Sequence, residues 1–332
     1  MALEARFRQR LNLPAICAPM FLVTGPELVA ASCKAGIVGA LPRQNARSIE
    51  VFEDWLRQIR TALDDFAEAN PSARIGPLAV NLATNFNDDD LAANLTLCQR
   101  YGVDIIISAT GNPSALAQRV HDWGGVIFHD VTSMRFAEKA IAAGVDGLTC
   151  IGAGGGGHSG TVSHLVLIPK IRSIFSGVVI MAGAVTNGAA IRAAEILGAD
   201  LAYLGTRFIA TQESRASDQY KAMLTSGSST ELMYTPNIAG VAANWMTESM
   251  KMAGLDPRNL PKPSRAGMTH SHLPEGVKPW KNVWSAGQGI DLIDDVPTVS
   301  ELVSRLREEY VAACDTPDMA DAARLVDEAM TS

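Results

Sequence analysis

Cysteine is scarce: five residues in 332, scattered at Cys17, Cys33, Cys98, Cys150 and Cys314. None stands in a CxxC pair and the count is odd, so the spacing fits neither a zinc site nor a disulfide framework. Reduced thiols, and with them a cytoplasmic location, are the simplest expectation. Basic residues are short too. Lys and Arg number 28 against 35 Asp and Glu, leaving a net charge of −7. No basic block overrides that balance, which argues against a nucleic-acid partner. Also missing is a run of ~20 apolar residues, the length that a membrane span needs. The opening MALEARFRQRLNLP carries charges throughout and no apolar centre, so it does not read as a signal peptide.

What is present is apolar. Hydrophobic residues make up 47% and charged residues 19%, enough for a large core. Short apolar runs alternate with longer amphipathic ones. Strands are expected at Ala15–Val23, Ile37–Leu41, Gly76–Thr84, Val103–Pro113, Gly125–Ser133, Val145–Gly152, Val178–Val185 and Ala199–Gly205. Each is continuously apolar rather than alternating, as in a parallel sheet covered on both faces. Helical stretches lie between them, the longest over Ser48–Ala69. Three of them end on a glycine followed at once by an apolar residue and aspartate: Gly102-Val103-Asp104, Gly144-Val145-Asp146 and Gly198-Ala199-Asp200. Eight βα units over about 210 residues predict a (β/α)8 TIM barrel. The texture changes after Thr211. Residues 212–279 read as a helical cap inserted after strand eight, with helices at Ser217–Thr225 and Val241–Ala253. Residues 280–332 return to the barrel as its closing helix.

Polar and glycine signals gather where strands end, the face on which barrel enzymes place their sites. They are Ala18-Pro19-Met20, Asn81, Thr110-Gly111-Asn112, His129-Asp130, the glycine loop before His158, Gly183-Ala184 and Gly205-Thr206. Loops after strands seven and eight form the usual phosphate site of this fold, and Arg207 stands ready to add charge there. The run Cys150–Gly160, CIGAGGGGHSG, is the most telling. Each glycine costs of order 0.5–1 kcal/mol relative to alanine, so four in a row suggest something flat or anionic lying against the backbone.

These motifs resemble the nitronate monooxygenase family, formerly 2-nitropropane dioxygenases, which are flavoproteins on TIM barrels. The resemblance rests on PAICAPM at the start, AVNL, ATGNP, GGHSG, the stretch VVIMAGAVTNGAAIRAAEILGADLAYLGTRFIATQES and WSAGQG near the end. It implies FMN, with Ala18, Pro19 and Met20 along the isoalloxazine ring and Asn81 on its polar edge. Gly156 and Gly157 would let the loop approach the flavin. Gly183, Ala184, Gly205 and Thr206 would hold its phosphate, and Ala286, Gly287 and Gln288 would close the far side. His158 matches the family's active-site histidine. A histidine near its ordinary pKa of ~6.5 can take a proton at neutral pH, or as imidazolium attract an anion.

The chain also departs from the family. Gly154 and Gly155 replace an acidic residue and alanine, and Ala184 replaces a phosphate-loop glycine. Asp130 stands where relatives often carry Lys or Gln beside the flavin pyrimidine. A carboxylate there disfavours an anionic flavin unless it is protonated or turned away. The resemblance therefore leaves two activities: oxidation of alkyl nitronates with O2, or an NAD(P)H-dependent reductase acting on a quinone, enoyl or acyl-CoA substrate. A flavin-free barrel handling a sugar phosphate is the third reading. The expected partner is a small molecule, with neither membrane nor nucleic acid. The oligomeric state stays open, a homodimer among the options. Of the other histidines, His121 and His164 read as surface or cap residues. His129 reads equally as structural or functional, and His270 and His272 as a solvated loop. Trp245 and Met246 are candidates to line a substrate pocket, with core packing the default.

Overall fold

The eight apolar runs become eight parallel strands that close on themselves. In order they are Ala15–Cys17, Val38–Pro42, Leu78–Ala83, Ile105–Ala109, Val126–Val131, Gly147–Ile151, Val178–Ala182 and Leu201–Leu204. The first pairs with the eighth, Cys17 opposite Leu204, which completes the barrel. The structure is a computed structural model and describes residues 2–264, 267, 269–315, 324 and 326–330.

Alternation along each strand divides the apolar side chains between two cores. Ile16, Ala40, Ile107, Phe128 and Ile180 fill the lumen, stoppered at one end by Leu3, Phe7 and Leu11. Cys17, Leu41, Val80, Ile106, Ile127 and Val179 point outward and are covered by the helices. The long helix runs Ile49–Ala69, its first turn capped by the Ser48 hydroxyl accepting from Val51 N–H. The closing helix, Val299–Cys314, starts with a reciprocal Thr298–Glu301 capping box. It lies so close to the helix Gly188–Ile196 that a Cβ on Gly188 would sit 2.2 Å from the Leu306 carbonyl oxygen.

The glycine–apolar–aspartate triplets have a structural purpose. Asp104 accepts from Leu78 N–H at 2.9 Å, Asp146 from Ile127 N–H at 2.8 Å and Asp200 from Val179 N–H at 2.9 Å. Each aspartate follows a helix and pins the start of a neighbouring strand. Asp104 also pairs with Arg10, and Asp200 with Arg172. All three belong to the N-terminal end of the barrel.

Two expectations change. The first strand stops at Cys17 rather than continuing to Val23. Pro19 has no N–H to offer a ladder, and the chain turns through Leu22 at φ 63°. The helix expected at 241–253 is split. Ala243–Met246 is a strand paired antiparallel with Leu232–Thr235, and only Thr247–Met252 is helical. The other expected cap helix is present as Asp218–Ser226, capped by Ser217. Among the described residues no helix is long and apolar enough to cross a membrane.

Candidate active site

The mouth at the strands' C-terminal ends is built from inward-facing residues. Asn81 shares the parity of Ala79, Asp130 that of Phe128 and Tyr203 that of Leu201, all lumen residues. Thr149 is the register partner of Asp130 on the sixth strand. His129 has the opposite parity. It lies outside the lumen, buried, with Nδ1 2.8 Å from the Ser108 hydroxyl. Burial alone pushes its pKa down to about 4. His129 is a structural residue.

Three polar atoms at the mouth are buried without a hydrogen-bond partner: Asp130 Oδ1, Thr149 Oγ1 and His158 Nε2. Buried polar groups are normally satisfied, so such a cluster marks a place where something else is meant to bind. Burial raises the Asp130 carboxyl to about 7, the nearby Thr149 hydroxyl tempering the rise. Burial also lowers the His158 imidazole below its ordinary value. The histidine is therefore neutral at pH 7, which weakens the case for an imidazolium that attracts anions and favours a base.

The glycine loop folds back over the mouth. Gly154 and Gly157 take φ of +88° and +70°, which few side-chain-bearing residues would accept. Gly154 and Gly156 lie against the returning segment, where Gln288 N–H donates to the Gly154 carbonyl at 2.9 Å. Gly287 N–H donates to Thr206 Oγ1 at 2.9 Å. A Cβ on Gly183 would come 2.9 Å from Gly155 N, and one on Gly154 would come 3.2 Å from the Ala184 Cβ. The expected phosphate residues on the seventh and eighth strand ends are thus brought together with the glycine loop. Ala184 takes φ +57° in a position suited to glycine, and pays for it in strain. Gly205 lies against Ala18 and Met20, an added Cβ making ordinary contact with Met20 Sδ at 3.7 Å and Ala18 Cβ at 3.8 Å. The Ala18–Met20 turn is held by Asn45, whose Nδ2 donates to the Met20 and Thr24 carbonyls.

Two expectations about charged groups fail. Arg207 is buried and turned to Asp295 at 2.8 Å, so it is not free to serve a phosphate. His164 is no surface residue. Its Nε2 lies 2.7 Å from the Ala182 carbonyl, wedging it beneath the glycine loop. His121 does lie at the surface, paired with Asp146. His272 bonds the Asn237 carbonyl.

The hairpin supplies residues that motif reading missed. Asn244 Nδ2 donates to the Gly155 carbonyl at 2.7 Å, and the Tyr234 hydroxyl to the Ser159 carbonyl at 3.0 Å. The hairpin therefore clamps the loop on both sides of His158. Trp280, at φ +59°, stands edge-on to His158 with ring centroids 5.3 Å apart. It also packs on Trp245 at 4.9 Å and Phe21 at 6.3 Å. An open surface cleft of about 510 Å³ is lined by Arg172, Arg192, Glu195 and Asp200. It lies at the other end of the barrel, and its Arg172 is already spent on the Gly198 and Gly177 carbonyls and Asp200.

The nitronate monooxygenase family model matches residues 8–309. The chain belongs to the nitronate monooxygenase family. It is an enzyme, a flavin-dependent oxidoreductase. A nitronate monooxygenase of Paraburkholderia phytofirmans is 27% identical, over 90% of this chain and 92% of the relative. A Rhodococcus jostii protein named (3aS,4S,5R,7aS)-5-hydroxy-7a-methyl-1-oxo-octahydro-1H-indene-4-carboxyl-CoA dehydrogenase is 23% identical, over 91% of this chain and 94% of the relative. Among solved structures, FabK from Thermotoga maritima matches with TM-score 0.73 at 21% identity, covering 94% of this chain and 98% of its own. At that identity the likeness concerns the fold.

Proposed function

We propose that the mouth binds FMN and that the enzyme oxidises alkyl nitronates, or the nitroalkanes that give rise to them, using O2. The observation that carries this reading is His158: a neutral imidazole with an unpartnered Nε2, held at the mouth by a loop of glycines. In the tautomer with its proton on Nδ1, Nε2 accepts the acidic C–H proton of a nitroalkane. Trp280 on its flank restricts the ring and excludes water.

The residues fit FMN. The unpartnered atoms at the mouth and the positive-φ turn at Gly183-Ala184 together suit a flat ring with an anionic tail. Ala18, Pro19 and Met20 would line the ring, with Asn81 and Asp130 at its polar edge and Gly156, Gly157 and Gln288 closing over it. Gly183, Ala184, Gly205 and Thr206 would hold the phosphate, now without help from Arg207. Bound FMN supplies an electron acceptor that O2 reoxidises. We assign 212–279 to a substrate-facing cap and 1–211 with 280–332 to the barrel, of which 1, 265, 266, 268, 316–323, 325, 331 and 332 lie outside the described residues.

A second reading, an NAD(P)H-dependent reductase of a quinone, enoyl or acyl-CoA substrate, is favoured by the Rhodococcus jostii relative named for an acyl-CoA. Anaerobic absorbance titration of the purified protein separates the two. Bleaching by propyl-2-nitronate with no response to NADH or NADPH is expected. Bleaching by a nicotinamide with no nitronate response would replace the first reading by the second. A colourless protein that takes up no FMN would remove both.

A further inference from the structure

Among the described residues, Asp130 is turned inward at the mouth with its Oδ1 buried and unpartnered, and the Thr149 hydroxyl is the side-chain polar group beside it. Its neighbours leave it stranded. Thr149, across the register, has an unpartnered hydroxyl of its own. Tyr203 faces it from the eighth strand, and the proximity of Asp130 together with burial raises the phenol well above its usual range. Cys150, behind the sixth strand, is likewise pushed up, to about 12, chiefly by burial with Asp130 contributing. His158 above the mouth is neutral, and His129 on the same strand points the other way. No cation contributes to the electrostatics of Asp130. A carboxylate without a cation or an N–H donor is poorly solvated here, whereas a carboxylic acid is not.

We propose, on the reading that the mouth holds FMN, that Asp130 is a cofactor-positioning residue that acts as a neutral acid, donating its O–H to an acceptor on the polar edge of the flavin ring. The site then carries no formal charge beneath the ring. This explains how a chain with aspartate at this position escapes the repulsion that an ionised group would exert on electron-rich reduced flavin. The acid ties cofactor affinity to pH. Hydrogen bonding to the ring favours the protonated carboxyl, so FMN binds more tightly below neutrality and more loosely as Asp130 ionises. The neutral Thr149 and the high-titrating Tyr203 and Cys150 stay protonated over that range and do not contribute.

The test is FMN affinity by flavin fluorescence, from pH 5.5 to 8.5, for wild type and Asp130→Asn. Asparagine keeps a donor but cannot ionise. Dividing the two dissociation constants at each pH cancels the titration of the FMN phosphate. The ratio of wild type to variant is expected to rise by about tenfold from the acid to the alkaline limit, equivalent to 1.4 kcal/mol. Infrared difference spectra of the loaded wild-type protein at pH 6 should also show a protonated carboxyl band that Asp130→Asn lacks. That readout needs no variant with wild-type stability. A flat ratio, or no such band, overturns the proposal while leaving FMN in place. Absence of FMN binding by wild type at every pH overturns the cofactor reading and this proposal with it.

Discussion

At the N-terminal end of the barrel, Asp104, Asp146 and Asp200 each accept a strand N–H, and two of them hold an arginine as well. At the mouth, Asp130 Oδ1, Thr149 Oγ1 and His158 Nε2 are buried without a hydrogen-bond partner. Backbone strain divides the same way. Four described residues other than glycine take positive φ: Leu22, Thr110 and Ala184, which follow the first, fourth and seventh strands, and Trp280 beside His158. One end of the molecule is built for stability and the other holds unsatisfied and strained groups, the pattern expected where chemistry is done.

That contrast can be broken in order of effect. Replacing His158 by asparagine should lower kcat/KM for neutral 2-nitropropane, whose C–H proton must be removed, by about 10²–10⁴-fold, the range for loss of a general base. FMN content and Tm should hardly move. Unchanged turnover would remove the imidazole from the reaction. At the other end, Asp200→Ala should cost about 3 kcal/mol in urea unfolding, because it leaves the Val179 N–H without its acceptor and takes the carboxylate partner from Arg172. Activity per folded molecule should hold. A loss of activity without a loss of stability would erase the division between the ends.

The third prediction concerns His129. Folded His129 titrates near 4, whereas an unfolded histidine titrates near 6.5. Below 6.5 the unfolded chain takes up the proton and the folded chain does not. Its contribution is thus fully present above that pH and is lost as pH falls toward 4, by roughly 2 kcal/mol. The slope of stability against pH should be shallower in His129→Gln. Equal slopes would show that the group is not held neutral. The smallest effect is Ala184→Gly. Relief of the left-handed backbone gains about 1 kcal/mol and added chain entropy returns part of it. A rise in Tm of about 1 °C is expected, and a fall would mean that the methyl group is packed rather than tolerated.

Much of this architecture was legible in the order of residues. Continuous apolar runs marked the strands, Ser48 the start of the long helix, and the glycine loop the site. The inward parity of Asp130 was there to be read as well, since Phe128 and Asp130 share a face that His129 does not. Tertiary facts were not legible. The sequence ANWM, followed by TESMKM, reads as one helix until Leu232–Thr235 arrives to pair with it. Trp280 reaches His158 across more than a hundred positions, and Asn244 reaches Gly155 across 89, with no motif to announce either partner. Arg207 looked available because Asp295, its partner, lies far along the chain.

The hairpin that clamps the glycine loop has a consequence for modularity. Its Asn244 grips the loop bearing His158, while the adjoining Trp245 packs on the Trp280 that screens the imidazole. A chimera that borrows residues 232–246 from a relative would exchange Trp245 and the bracket around the His158 loop in one stroke. The packing beside the imidazole and the placement of its loop are therefore altered by a single engineering operation.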